Sequence, residues 1–389
     1  MKKIIGNGAG TTILTGAINP GSNNLDIDSA SIGDVNVYGG RLYIKGGVAL
    51  EGKAATSGYA TVEFNGGTFG NGGYVAGSAI INSAILGENL VISSGASADF
   101  VGSGGSMVNL NQHGVSTGLN CHVTVNDLIF SGGSVLNTAV LRISSGTTAQ
   151  FSNCIFTGNV TSTNGIFYQN GNTTSTYWDN CIFSNNRALN LYAGFYKANN
   201  GIMKITSCTI TGCTARSTPV LVNANGGQFI MSDCIVSDNV VQTNATHCTT
   251  TGTSAYFESC TFVNNSSTEK NHNGRVFVLG NTVTMVDCYI EPIISSPQTA
   301  IYTSATCKYT ISGGVYPTIQ NLGITTLNGN VSLNFISSGT VNINSGCSIA
   351  LEKDITATAI NVEEGGCVVN GSSIAEGTYT SIDSNGNAT

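Results

Sequence analysis

Six cysteines, at 154, 181, 208, 234, 260 and 288, recur at nearly constant intervals along the chain: 27, 27, 26, 26 and 28. Each is followed two residues later by an apolar side chain: Phe156, Phe183, Ile210, Val236, Phe262 and Ile290. Asparagine recurs at the next turn, at 159, 186, 239 and 265, and Cys213 takes that slot once. A fixed period of this length requires that each copy be one structural unit stacked on the next, because a unit this short cannot bury its own apolar face.

Aligning the copies on the cysteine gives columns with a physical pattern. Three residues before it stand Phe151, Trp178, Ile205, Met231, Phe257 and Met285, all apolar. Five before it stand Ala149, Thr176, Met203, Phe229, Ala255 and Val283. Between these lie Gln150, Tyr177, Lys204, Ile230, Tyr256 and Thr284, so the segment alternates with period two and reads as a strand with one buried face. The residue just before each cysteine is Asn, Ser or Asp, types whose short side chains bond nearby backbone and favour a corner. A third apolar stretch follows, as in Ile166-Phe167-Tyr168, Phe195-Tyr196, Val220-Leu221-Val222 and Val276-Phe277-Val278. The period therefore predicts three short strands and three turns per copy, one coil of an all-β parallel stack. Asparagines repeated at one turn are placed to bond along a ladder.

The Cys-x-[Phe/Ile]-x-x-Asn phrase resembles the Phe-x-x-Asn repeat of polymorphic outer-membrane proteins. More broadly it is similar to the repeats of autotransporter passenger domains and phage tailspikes. The resemblance spans about residues 126–295 and implies a single-stranded right-handed parallel β-helix. It says little about activity, since that fold hosts lyases, hydrolases, adhesins and spacers.

The organisation expected along the chain has three parts. Residues 1–125 carry strand-then-Gly-Gly units such as Leu42-Tyr43-Ile44-Lys45-Gly46-Gly47, expected as shorter coils. Residues 126–315 hold the regular coils of about 27 residues, opening at Asp127-Leu128-Ile129-Phe130 with Leu128 in the Cys position. Residues 316–389 return to short coils and end in a cap, which a stack of repeats needs to shield its last apolar layer.

Composition excludes several classes. Fifty glycines and only 9% charged residues in 389 suit a turn-rich all-β stack. A net charge of -7, with no basic cluster beyond Lys2-Lys3, argues against nucleic acid as a partner. No run of 18 apolar residues offers a membrane span. Met1-Lys2-Lys3 starts like a signal peptide, but no apolar stretch follows, so no signal peptide is readable. The twelve cysteines are expected as buried free thiols. Column neighbours in a parallel stack lie about 4.7–4.9 Å apart, but with side chains parallel rather than facing.

Chemistry is sparse. β-Helix glycosidases need converging carboxylates, and none of the signatures familiar in them, Asn-Thr-Asp, a paired Asp-Asp, Gly-His-Gly or Arg-Ile-Lys, is present. Asp179, Asp233, Glu258 and Asp287 fall near one corner, where capping is the expected role. Cys121-His122 and His247-Cys248 lack metal-ligand spacing, and neither a nucleophile elbow nor a phosphate loop is present. No catalytic residue, metal or cofactor is therefore assigned. Two features suggest binding. Tyr177 and Tyr256 fall in the outward column, where aromatic faces suit a sugar or protein. The segment after the Asn turn varies most between copies, and it carries Arg187, Tyr192, Arg216, Glu269, Lys270, His272 and Arg275 in a chain with few charges elsewhere. Loops leaving a fixed stack at one corner build a ridge, and a ligand is expected there rather than on the bare sheet faces. The function expected is a non-enzymatic extracellular, cell-surface or virion-surface adhesin or receptor-binding shaft. Its partner would be a cell-surface glycan or a host-surface protein, and a homo-oligomer is compatible with it. The alternatives are a polysaccharide lyase or glycoside hydrolase, and a pure spacer.

Overall fold

The computed structural model is all-β. It describes residues 2–5, 13–18, 24–28, 31–38, 40–46, 48–57, 60–69, 74–135, 139–162, 165–190, 194–197, 200–223, 226–243, 246–250, 254–268, 276–292 and 301–389, and no helix occurs among them. The chain divides into two compact units, Met1–Leu189 and Asn190–Thr389.

In the first unit, copies of the repeat pair in parallel, position for position. The strand before the cysteine runs through Ser97–Val101, His122–Asn126, Thr148–Ser152 and Thr174–Asp179, with Phe100, Val125, Phe151 and Trp178 in register. The strand after it stacks Met107–Asn109, Ile129–Ser131, Ile155–Thr157 and Ile182–Ser184. The strand after the loop stacks Leu90–Ile92, Val115–Thr117, Leu141–Ile143 and Phe167–Gln169. Spacing changes along the unit. Leu25 pairs with Leu42 and Val62 with Ala79, both short steps in sequence, whereas the step from Leu90 to its partner Val115 is nearly that of the cysteine period. The wide spacing is thus in place before residue 126.

The second unit repeats the plan. Gly201–Thr206, Gln228–Ser232, Ser254–Glu258, Thr282–Val286 and Lys308–Ser312 pair in succession, with Ile205, Met231, Phe257, Met285 and Ile311 in one column. Past Lys308 the repeat shortens, since Ile311 already finds its partner at Leu327. At the C-terminus the direction reverses. Gly377–Ile382 lies antiparallel on Ile355–Val362, and Ser372–Ile374 antiparallel on Cys367–Val369.

The sequence reading of three strands per copy misses one. A two-residue strand follows the Asn turn: Ser134–Val135, Val160–Thr161 and Arg187–Ala188 pair in the first unit. Thr214–Ala215, Val240–Val241 and Ser266–Ser267 pair in the second. Two residues are too few for alternation to register in sequence. The second members of five of these strands, Thr161, Ala188, Ala215, Val241 and Ser267, are buried, so the first residues of the expected ridge loops belong to the stack.

Both corners flanking the strand after the cysteine use the left-handed backbone region. Asp127, Asn153, Asn180, Ser207, Asp233, Ser259 and Asp287 have φ between 48° and 57°. Asn and Asp tolerate that region better than other non-glycine residues. The second corner repeats the solution at Gly158, Asn185, Gly212, Asp238 and Asn264, with φ from 54° to 64°. The chain can therefore turn sharply at both ends of a short strand without distorting the strand between.

All six inward pre-Cys residues are buried, Trp178 at 1% exposure and Met231 at 0%. Trp178 stacks on Phe151 with ring centroids 4.0 Å apart and planes within 8°. Phe156 stacks between Phe130 and Phe183 at 4.8 and 5.1 Å. Such pairs contribute about 0.5–1.5 kcal/mol each beyond the area they bury. All twelve cysteines are buried free thiols. In the periodic column they donate weakly to the carbonyl two residues earlier: Cys154 to Ser152 at 3.3 Å, Cys234 to Ser232 at 3.1 Å, and Cys260 to Glu258 at 3.2 Å. A small apolar residue with one weak donor suits this corner, where a carbonyl turns inward.

The Asn turn forms the ladder expected of it, in each unit separately. In the first, Asn159 Nδ2 donates to Asn186 Oδ1 at 3.2 Å and to Phe130 O at 3.1 Å, while Asn159 Oδ1 accepts from Gly133 N at 2.9 Å. In the second, Asn239 Nδ2 donates to Asn265 Oδ1 at 3.1 Å and to Ile210 O at 3.0 Å, and Asn239 Oδ1 accepts from Cys213 N at 2.9 Å. All four asparagines are buried. Asn159 and Asn239 each satisfy one backbone donor and one backbone acceptor, which the burial of backbone polar groups requires.

Candidate functional site

The residues expected to bind fall in two places. Arg187 opens the short strand Arg187–Ala188. Its backbone N donates to Asn159 O at 2.8 Å and its side chain is exposed. Alternation fixes that direction, because Ala188 beside it is buried. Arg216 follows the short strand Thr214–Ala215 and is also exposed; its carbonyl accepts from Thr243 Oγ1 at 2.6 Å. Tyr192, Glu269, Lys270, His272 and Arg275 lie outside the described residues.

Tyr177 and Tyr256 do point outward, as alternation predicts, but each is only half-exposed. Tyr177 pairs with Gln150, and Tyr256 lies between Ile230 and Thr284. The Tyr256 phenol is raised above its ordinary range, first by burial and then by the Glu258 carboxylate. The two tyrosines lie in different units, and none of these paired neighbours is aromatic.

The acidic residues stand at or next to the left-handed corners. Asp233 and Asp287 occupy left-handed corners two copies apart, with Ser259 between them. Asp179 and Glu258 each stand one residue before a corner. Among the described residues no group of three or more His, Cys, Asp or Glu is placed to hold a metal ion. His247 is buried in the core beside Cys248, whose thiol is pushed well up by burial.

No family model, no curated protein and no solved structure matches the chain.

Two polar groupings on the sheet faces escaped the sequence reading. Arg41 pairs with Glu63 at 2.8 Å. The other carboxylate oxygen of Glu63 accepts from Asn65 at 3.0 Å and from Asn82 at 2.7 Å, which accounts for a carboxylate only 6% exposed. The second grouping surrounds Arg142, which stands outward between buried Leu141 and Ile143. A basic residue in an outward strand position was the only signal available for either.

Proposed function

We propose that the chain is a single-stranded right-handed parallel β-helix that acts, outside a cell or on a particle, as a non-enzymatic adhesin or receptor-binding shaft. Its partner, a surface glycan or a host-surface protein, meets the loops that follow the short strand. One observation carries this reading: the chain length between fixed, register-paired strands varies at that corner. In the second unit the connection lengthens from Ala215–Leu221 through Val241–Cys248 to Ser267–Phe277, while the strands on either side stay paired copy to copy. A stack that holds its core fixed and varies one edge concentrates recognition there.

The test is a glycan array and a panel of cell-surface proteins, run beside an assay for released reducing sugar. Replacing residues 268–273 with a short Gly/Ser turn keeps the Ser266–Ser267 strand intact. That variant should fold as the parent does and lose binding. Release of reducing sugar, or binding unchanged by the replacement, would overturn the reading.

A further inference from the structure

We propose that the depression around Arg142 is a binding site for a single carboxylate-bearing sugar unit. It lies on a sheet face in the first unit and goes beyond the loop-corner reading, whose success or failure it does not share. Parallel register sets Val91, Ser116, Arg142 and Tyr168 in one outward column. Beside them is a depression of about 160 Å³ lined by Asn89, Val91, Ser116, Ala139 and Arg142.

Arg142 is the reason to expect a ligand. Its Nε is buried and has no hydrogen-bond acceptor among the described residues. The guanidinium forms no ion pair with a described residue, although the chain carries a net charge of -7. What it does meet is the Tyr168 ring, the guanidinium carbon standing 6.0 Å from the centroid, within the reach of a cation–π attraction. Roughly nine in ten or more of the buried polar groups in folded proteins have a partner, so a guanidinium with a buried, unpartnered Nε and no ion pair is under-satisfied, and its Nη groups are where a partner from outside can reach it. The Nη1–Nη2 end of a guanidinium presents two N–H groups that match the two oxygens of a carboxylate.

The surroundings suit a sugar better than an acidic side chain. Ser116 stands beside Arg142 on the neighbouring strand in the same outward column, strands being about 4.8 Å apart. Asn89 Oδ1 is committed to Gly114 N at 2.9 Å, which leaves the Asn89 amide NH2 to meet a hydroxyl. Val91, 40% exposed, and Ala139 give an apolar floor for a C–H face. The volume is below the roughly 300–1,000 Å³ of drug-sized pockets and suits one ring.

The test is a ligand-observed NMR titration of the full chain with glucuronic acid, glucose, acetate and inorganic phosphate. Glucuronic acid should bind at least tenfold more tightly than the other three. Arg142→Gln should lose tenfold or more of that affinity, Arg142→Lys should fall between, and Ser116→Ala should lose severalfold. Thermal melting monitors the fold. If Arg142→Gln melts early, the Ser116→Ala and Arg142→Lys results decide alone. Acetate equal to glucuronic acid would reduce the site to a bare carboxylate contact and overturn the sugar assignment. Phosphate binding more tightly than glucuronic acid would make it a general anion patch and overturn it equally. Binding indifferent to Arg142, or no binding at all, would also overturn the proposal.

Discussion

Asn239→Ala tests the ladder at its best-connected rung. The parent side chain accepts from Cys213 N at 2.9 Å, donates to Ile210 O at 3.0 Å, and donates to Asn265 Oδ1 at 3.1 Å. Alanine removes all three. Asn265 Oδ1 retains the Asn239 backbone N–H at 3.1 Å, and Ile210 C=O keeps its ladder bond to the next strand, but Cys213 N–H is left unpaired in a dry core. A buried group left unpaired costs about 1–3 kcal/mol and each of the two other lost bonds about 0.5–1.5 kcal/mol, so the substitution should destabilise by about 2–6 kcal/mol. Ser237→Ala is the matched control. It removes one hydroxyl contact, to Thr211 at 3.0 Å on the partly exposed outward face of the same copy, where water can replace it. That change should stay within about 0.5 kcal/mol. Urea unfolding followed by circular dichroism gives the totals. Because stacked repeats open locally, hydrogen exchange at the Cys213 amide should rise in Asn239→Ala and not in Ser237→Ala. A difference between the two variants of less than about 1 kcal/mol, with Cys213 still protected, would refute the ladder as a source of stability.

The other expectations concern the core. Trp178, the only tryptophan and buried on Phe151, should emit at short wavelength and resist acrylamide quenching until unfolding; a solvent-exposed emission in the native protein would mean that the register is wrong. Trp178→Ala should destabilise by about 3–5 kcal/mol. Thiol titration should find close to none of the twelve cysteines reactive in the native state and twelve after denaturation, and a clear shortfall after denaturation would show that some are cross-linked. Burial pushes the Cys307 thiol from 9.0 up to about 11, and Cys347 up to about 12. The folded state thus keeps protons that the unfolded chain releases, and the stability they contribute is complete below pH 9 and lost as pH rises towards 11 and 12. Unfolding free energy measured from pH 8 to 11 should therefore decline above 9, and less steeply in Cys307→Ala; a flat profile in the parent would contradict this.

What the sequence disclosed depended on the length of each signal. The cysteine column and the inward residues Phe151 to Met285 were legible because each strand alternates along its whole length and the pattern recurs in copy after copy. The corners were legible because Asn, Ser and Asp before a cysteine have a local reason to be there, and those residues do sit at positive φ. The short strand at Val160–Thr161 and its counterparts was not, since so brief a segment carries no period. Nor does the ladder's reach show in sequence: the spacing gives the asparagines, but that they also cap Gly133 N or Ile210 O depends on how closely the copies approach. Of the expected site, Arg187 and Arg216 are exposed, but they stand on or beside the short strands, next to buried Ala188 and Ala215, where the sequence reading had placed a loop leaving the stack. Arg142 was passed over because an outward arginine in a strand looks like any solvated charge. Only a buried Nε without an acceptor and the depression beside it distinguish it.

The end of the cysteine column can be tested through a single glycine. Val315 pairs with Tyr289, so Gly314 takes the place below Cys288 that a cysteine holds in earlier copies. Its φ is +87°, and a Cβ there would collide with the Cys288 carbonyl oxygen and stand 2.8 Å from Cys288 N. That same carbonyl accepts from Val315 N at 2.8 Å, so an added methyl cannot be accommodated without opening the rung. The neighbouring copies shorten at this point: Met285 reaches its partner Ile311 by a wide step in sequence, and Ile311 reaches Leu327 by a much shorter one. A tight corner without a side chain is where the wide repeat hands over to the narrow one. Gly346 has a similar φ of +71°, and a methyl added there would meet nothing within 4 Å. Gly346→Ala should therefore cost only the left-handed backbone penalty of about 1–2 kcal/mol. Gly314→Ala should cost that and a further 1–3 kcal/mol, roughly, for the crowding. Its excess should appear as faster hydrogen exchange at the Val315 and Ser332 amides, which bond Cys288 O and Gly314 O at 2.8 and 2.9 Å. Equal destabilisation by the two substitutions, with those amides unchanged, would mean that the close approach at Gly314 does not set where the narrow repeats begin.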